Sequence, residues 1–171
     1  LIGQDIAAYG TGLEDFEIRT VAEKKSLSPI AYLFSRISEI SGDFIIRPLY
    51  IHPDHFSEDM LIEMKKDSRF LPYFDIPFQS GDDNIIYLMN RTGTAEKYKK
   101  LVQKIRDYFP QAVIRTTFLT GFPGETEEAA ENTEKFLQDI VPDWSGCFSY
   151  SREEDTAGYF LKPRVSGKVA R

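Results

Sequence analysis

One stretch constrains this chain more than any other: Thr116-Thr117-Phe118-Leu119-Thr120-Gly121-Phe122-Pro123-Gly124-Glu125-Thr126. Val113, Ile114, Thr116, Thr117 and Phe118 are β-branched or aromatic and suit a strand. Gly121 and Gly124 permit backbone angles closed to other residues and let a ligand approach the main chain. Thr126 is a good helix N-cap, with Glu127 and Glu128 placed for the first turn. The stretch therefore reads as strand, ligand-sized loop, helix. An ordinary strand-to-helix turn uses the same residues, so the loop alone does not name a ligand.

The same alternation runs through the chain. Leu1–Gly3 reads as the end of a strand, and Asp5–Lys25 as a polar loop with a short hairpin over Phe16–Val21. Ser28 caps a helix with Pro29 at its first position, running to about Ile40. Phe44–Ile51 reads as a second strand, and Ser57 caps a helix to about Lys66. A third strand covers Phe70–Ile76. A short helix from Asp82 or Asp83 to Asn90 follows, then a longer one from Thr94 to Phe109. Val113–Leu119 is the fourth strand, Thr126–Ile140 its helix, and Asp143–Tyr150 the fifth strand. The tail from Ser151 is polar and basic without clear periodicity. Strands separated by helix-length segments imply a parallel sheet with helical crossovers. Two architectures fit, a doubly wound sheet or an open or closed α/β barrel. Both place ligands at the C-terminal ends of strands. Those ends carry Gly3-Gln4-Asp5, Tyr50-Ile51-His52-Pro53, Asp75 to Gly81, the Gly-Pro-Gly loop, and Tyr150 to Glu154.

Composition narrows the function classes. The 171 residues carry a net charge of −6, with 42% hydrophobic content. That length fits one domain with a proper core, and the charge argues against broad nucleic-acid binding, which needs a basic face. No apolar run approaches the ~20 residues of a membrane span. The single cysteine, Cys147, cannot form an intrachain disulfide, which fits the cytoplasm. In its strand-like apolar run it reads as a buried, inert thiol.

Several chemistries find little support. No Gly-rich Lys-Ser/Thr loop is present, and Gly121 and Gly124 complete only part of a dinucleotide-binding pattern. His52 and His55 are three apart, but Pro53 prevents a regular helix there, so a loop with two solvated histidines is the expected reading and no metal site is assigned. Asp75 reads either as a catalytic carboxylate or as a core acid paired with Arg47 or Arg115. No catalytic residue is assigned.

The ordered motifs resemble the radical S-adenosylmethionine methylthiotransferases. They are Leu1-Ile2-Gly3-Gln4-Asp5 with Tyr9-Gly10, Ile46-Arg47-Pro48-Leu49-Tyr50 with Pro53, and Tyr73 through Gln79. Met89-Asn90-Arg91, Arg115 through Thr126, and Phe148 through Glu154 with Thr156-Ala157 complete the series. Gln4-Asp5, Asp75-Ile76-Pro77 and Glu153-Glu154 resemble the RimO-like branch, which modifies an aspartate of a small-subunit ribosomal protein. Ser80-Gly81 resembles the MiaB-like branch, which modifies tRNA adenosine. Gly158 follows Ala157 where the family usually has Thr-Pro-Ala.

The resemblance implies an open, TIM-like α/β barrel of six strands, of which about five βα units are here. It implies reductive cleavage of S-adenosylmethionine to a 5′-deoxyadenosyl radical, hydrogen abstraction from the aspartate β-carbon, and insertion of a methylthio group. It implies an iron–sulfur (4Fe-4S) cluster held by a three-cysteine loop that this chain lacks. Residues 1–171 thus read as a partial radical SAM domain, without the cluster-binding first βα unit, the N-terminal domain and the C-terminal TRAM-like domain. Such a fragment is expected to be inactive by itself and to self-associate through the open sheet edge beside Leu1–Gly3. The implied cofactor residues are Gln4 and Asp5 for the amino group, Gln79 and Ser80 for ribose, Leu119, Gly121 and Phe122 around adenine, and Gly124 in the turn that lets the cofactor come close. Arg47 and Arg115 would meet a carboxylate. Two rival classes remain on the residues alone: a self-contained lyase or hydrolase on a barrel with Asp75 as base, and a non-catalytic binding module.

Overall fold

In a computed structural model of the chain, residues 3–165 are described. Leu1 and Ile2, most of the expected first strand, lie outside them. The chain divides into two compact units, Leu1–Ile76 with Lys104–Val113, and Pro77–Gln103 with Ile114–Arg171.

The first unit is built on helices α1 (Phe16–Lys24), α2 (Pro29–Ser38) and α3 (Glu58–Lys66), followed by strand β1 (Tyr73–Asp75). The Ser28 hydroxyl accepts the Ala31 N–H, and Pro29 opens α2 as expected from its fixed φ. α2 buries Ile30, Ala31 and Phe34 and packs on α1 and α3, while α3 buries Met60, Leu61 and Met64. Phe74 of β1 meets Phe109 at 5.8 Å. Two sequence expectations change here. The hairpin over Phe16–Val21 is helix α1, which buries only Ala22; Phe16, Ile18 and Thr20 alternate with Glu17 and Arg19 and so mimic the period of a strand. The strand over Phe44–Ile51 shrinks to one parallel bridge, Ile46 to Phe70. Pro48 has no N–H to extend that ladder.

The second unit contains α4 (Asp83–Leu88), most of α5 (Ala95–Tyr108), β2 (Val113–Thr120), α6 (Glu127–Ile140) and β3 (Trp144–Ser149). β2 begins in the first unit, where the Val113 N–H donates to the Pro72 carbonyl (2.8 Å), and continues through the second. The sheet order is β1-β2-β3, and β2 pairs β3 in parallel from Arg115 opposite Trp144 to Thr120 opposite Ser149. Burial alternates along β2: Ile114, Thr116 and Phe118 are buried, and Arg115 between them is exposed. The buried face meets helices, with Phe136 of α6 edge-on to Phe118 at 6.2 Å and to Phe78 at 5.3 Å. Tyr98 of α5 closes on the same Phe78 ring at 5.2 Å. This is the one-sided packing of an open α/β barrel segment.

β3 forms where the fifth strand was expected, but its burial differs. As the last strand in the order it has no partner beyond it among the described residues, and Trp144 and Phe148 are exposed. Cys147, expected to be buried, is exposed as well. An apolar composition alone does not tell an edge strand from a central one.

Candidate functional site

In the first unit the strand ends gather one cluster. The Asp5 carboxylate accepts the N–H groups of Ala7 and His52 at Oδ1, both at 3.1 Å. Its Oδ2 bonds His55 Nδ1 at 2.5 Å. His52 caps a 3-10 turn, Pro53–His55, and His55 ends it. Their rings stack with centroids 4.9 Å apart. Pro53 rules out a regular helix, yet the 3-10 turn still brings the two rings together. Asp5, His52 and His55 each offer one ligand atom, all within 4.8 Å of one another, so the turn gathers a donor set of the kind that holds a metal ion, where the sequence reading assigned none. Asp5 spends its acceptors inside the protein, ordering the loop that carries Gln4. Gln4 is exposed, and Arg47 is exposed with its guanidinium 4.8 Å from the Tyr73 ring centroid. Asp75 is buried at the end of β1, and its carbonyl accepts the Ile51 N–H.

In the second unit the strand ends gather another. Gln79 has φ 70°, a left-handed conformation uncommon outside glycine and often found where a ligand is handled. Its N–H donates to Thr117 O and its carbonyl accepts Leu119 N–H, each at 2.8 Å. Ser80 is fully buried, with Oγ shared with the Thr133 hydroxyl and the Asp82 N–H. It therefore fixes the entry to α4. Leu119 and Phe122 pack on a core cluster with Ile85 and Ala129, and Phe122 is edge-on to Tyr150 at 5.1 Å. Gly121 (φ 75°) and Gly124 (φ 93°) hold the turn. A side chain at Gly124 would meet Leu88 Cδ1 at 2.8 Å. Arg115 lies on the same face of β2 as Leu119, but five residues before the strand's end at Thr120, roughly 16 Å along a strand.

One residue that the sequence reading missed closes this loop. The Glu125 carboxylate accepts the Gly121 N–H. Burial pushes its pKa up, the Gly121 N–H pulls it down, and Asp82 adds to the rise. The signal was present as an acceptor four residues after a glycine whose N–H had no strand partner.

The comparisons with known proteins bear on this geometry. A family model described as the Radical SAM superfamily matches residues 14–137. The chain belongs to the radical SAM superfamily. A solved radical SAM enzyme, coproporphyrinogen III oxidase (HemN) from Escherichia coli, superposes with a TM-score of 0.65 at 19% identity, over 83% of this chain and 33% of that one. At that identity the match establishes the fold, the open barrel of this superfamily. Among curated radical SAM relatives, the ribosomal protein uS12 methylthiotransferase RimO of Treponema denticola is 52% identical over 99% of this chain. That of Thermotoga maritima is 39% identical over 100%. The chain spans 38% and 37% of those two relatives' lengths. No helix among the described residues is long and apolar enough to cross a membrane.

Proposed function

We propose that the protein containing this chain is a radical SAM methylthiotransferase that modifies an aspartate of ribosomal protein uS12. The observation that carries this reading is the 52% identity over 99% of the chain to a protein of that name. On this reading the protein works in the cytoplasm, where its ribosomal substrate is made, and uses S-adenosylmethionine with a 4Fe-4S cluster.

The residues present fit the first group and do not fit the second. A cluster needs three or four thiolates, and this chain offers Cys147 alone, exposed on an edge strand. The chain by itself is therefore expected to assemble no cluster and to be inactive. For S-adenosylmethionine, the left-handed Gln79 beside Leu119 and Gly121 offers a strained, backbone-rich strand end. Gln79 and the free face of Leu119 would orient the nucleoside, and Asp5 would hold the Gln4 loop in place. Ser80, Phe122 and Gly124 support the rim from within, and Arg47 and Arg115 stay the candidates for carboxylate contact from solvent-facing positions. The cofactor and cluster supply the radical chemistry, and the chain's task is to orient and to exclude water.

The test is made on the full-length protein, reconstituted anaerobically with iron and sulfide and given S-adenosylmethionine, reductant and uS12. Peptide mass spectrometry should find a methylthio group on one aspartate, with 5′-deoxyadenosine formed. An unmodified uS12 together with a methylthiolated tRNA would move the protein to the other branch of the family.

A further inference from the structure

We propose that a pocket adjoining the cofactor turn takes the carboxylate of the polypeptide substrate through Arg152 and Arg164. The proposal rests on the uS12 reading and names the part of that substrate which is read. The pocket has a volume of about 340 Å³ and lies between the Gly121–Pro123 turn, the end of β3, and the tail to Val165. That is within the size range of small-ligand sites. Tyr150, Tyr159, Leu161 and Pro123 give it apolar walls. Its charged lining residues are Arg152 and Arg164, with no carboxylate among the described ones. In a chain with 27 acidic and 21 basic residues, that local sign is the reverse of the whole.

Arg152 is set in place rather than waving in solvent. Its guanidinium carbon lies 3.5 Å from the Tyr159 ring centroid, and Nε donates to the Tyr159 carbonyl at 3.1 Å. Its two Nη groups have no hydrogen-bond partner among the described residues, and neither has Arg164. A stacked guanidinium with its fork open is pre-organised for a planar oxyanion, which it binds through two parallel hydrogen bonds. Of the nearby acids, Glu153 is turned to the Ser151 hydroxyl at 2.7 Å. The Tyr150 hydroxyl is buried beside the pocket and has no hydrogen-bond partner among the described residues. An unsatisfied buried hydroxyl costs free energy, and a polar group of a ligand in the pocket would offset that cost. The size, the apolar walls and two separate guanidinium groups favour a peptide side chain with its flanking backbone over a bare anion. The methionyl carboxylate of S-adenosylmethionine has the same chemistry and is the other source to be distinguished.

The experiment uses the reconstituted full-length protein with Arg152→Met, Arg152→Lys and Arg164→Met. Binding of a fluorescent uS12 peptide spanning the modified aspartate is compared with that of the same peptide carrying asparagine. S-Adenosylmethionine affinity and melting temperature are measured on each variant. The wild type should prefer the aspartate peptide, and each methionine variant should weaken it about tenfold or more while the asparagine peptide is unaffected. Arg152→Lys should recover only part, since an ammonium cannot form the fork. A preference that survives both methionine variants overturns the proposal. A loss confined to S-adenosylmethionine affinity overturns it too and gives the pocket to the cofactor. Failure of the uS12 reading shows separately, as a wild type that binds S-adenosylmethionine and leaves uS12 unmodified.

Discussion

Glu125 shows how one side chain sets the state of a loop. Its folded pKa lies above the ordinary value of 4.5 because burial disfavours the charge. The stability linked to that shift is fully present below the unfolded pKa and is lost as pH rises through the folded one. At neutral pH the carboxylate is therefore the costly form, although it accepts the Gly121 N–H. Glu125→Gln keeps an acceptor and removes the charge. Its melting temperature relative to wild type should be higher at pH 7 than at pH 4, and an equal difference at both would sink this account. Gly124 carries a related lesson. Sequence alone suggests that a β-carbon there spoils ligand approach and spares the fold. The φ of 93° and the approach to Leu88 add a structural cost. Gly124→Val should destabilise the protein by about 1–3 kcal/mol, read by denaturant titration, as well as weaken S-adenosylmethionine binding in the intact protein.

Elements are joined at a few points where small residues are obligatory. A β-carbon on Gly81 would sit 2.3 Å from Phe136 Cβ and 2.9 Å from Thr133 Cα. Both belong to α6, so the entry to α4 lies directly on the α6 backbone, secured by the Gly81 N–H to the Thr133 hydroxyl at 3.0 Å. Gly81→Ala should cost about 1–3 kcal/mol from overpacking. Phe136→Ala should cost about 3–5 kcal/mol, since that ring touches both Phe78 and Phe118. Equal melting curves for wild type and Gly81→Ala would show that α6 can move aside. The motif reading marked Ser80-Gly81 for its resemblance to the tRNA branch, and the packing supplies a structural reason for both residues.

At the scale of the molecule, the exposed edge decides behaviour in solution. β3 presents Trp144 at 68% exposure and Phe148 at 62%. An unpaired apolar edge is a template for association. The expected edge beside Leu1–Gly3 falls largely outside the described residues, so β3 is the edge the structure shows. The 171-residue chain should associate with rising concentration in sedimentation runs. Trp144→Lys should shift it towards monomer, and a concentration-independent monomer in the unsubstituted chain would remove the proposal of self-association.

The sequence by itself determined the helices with strong caps and wide apolar stripes, such as α2 behind Ser28-Pro29 and α6 behind Thr126. It also determined β2, the turn after it and the family, because these depend on neighbours a few residues apart or on ordered motifs. Only tertiary structure decided the rest. α1 was hidden because Phe16, Ile18 and Thr20 alternate with charged residues as a strand's would, and only packing on α2 decides for the helix. β3 was legible as a strand, but the exposure of Cys147 was not, because burial in an apolar strand depends on what lies beside it. The Asp5–His55 bond spans fifty positions, and the stack of Arg152 on Tyr159 depends on how an aperiodic tail folds back. The rim residues were legible as types, but which hydroxyls and carboxylates face outward was not. Ser80 and Asp5 are satisfied from within, since buried polar groups take the nearest partner that the packing offers.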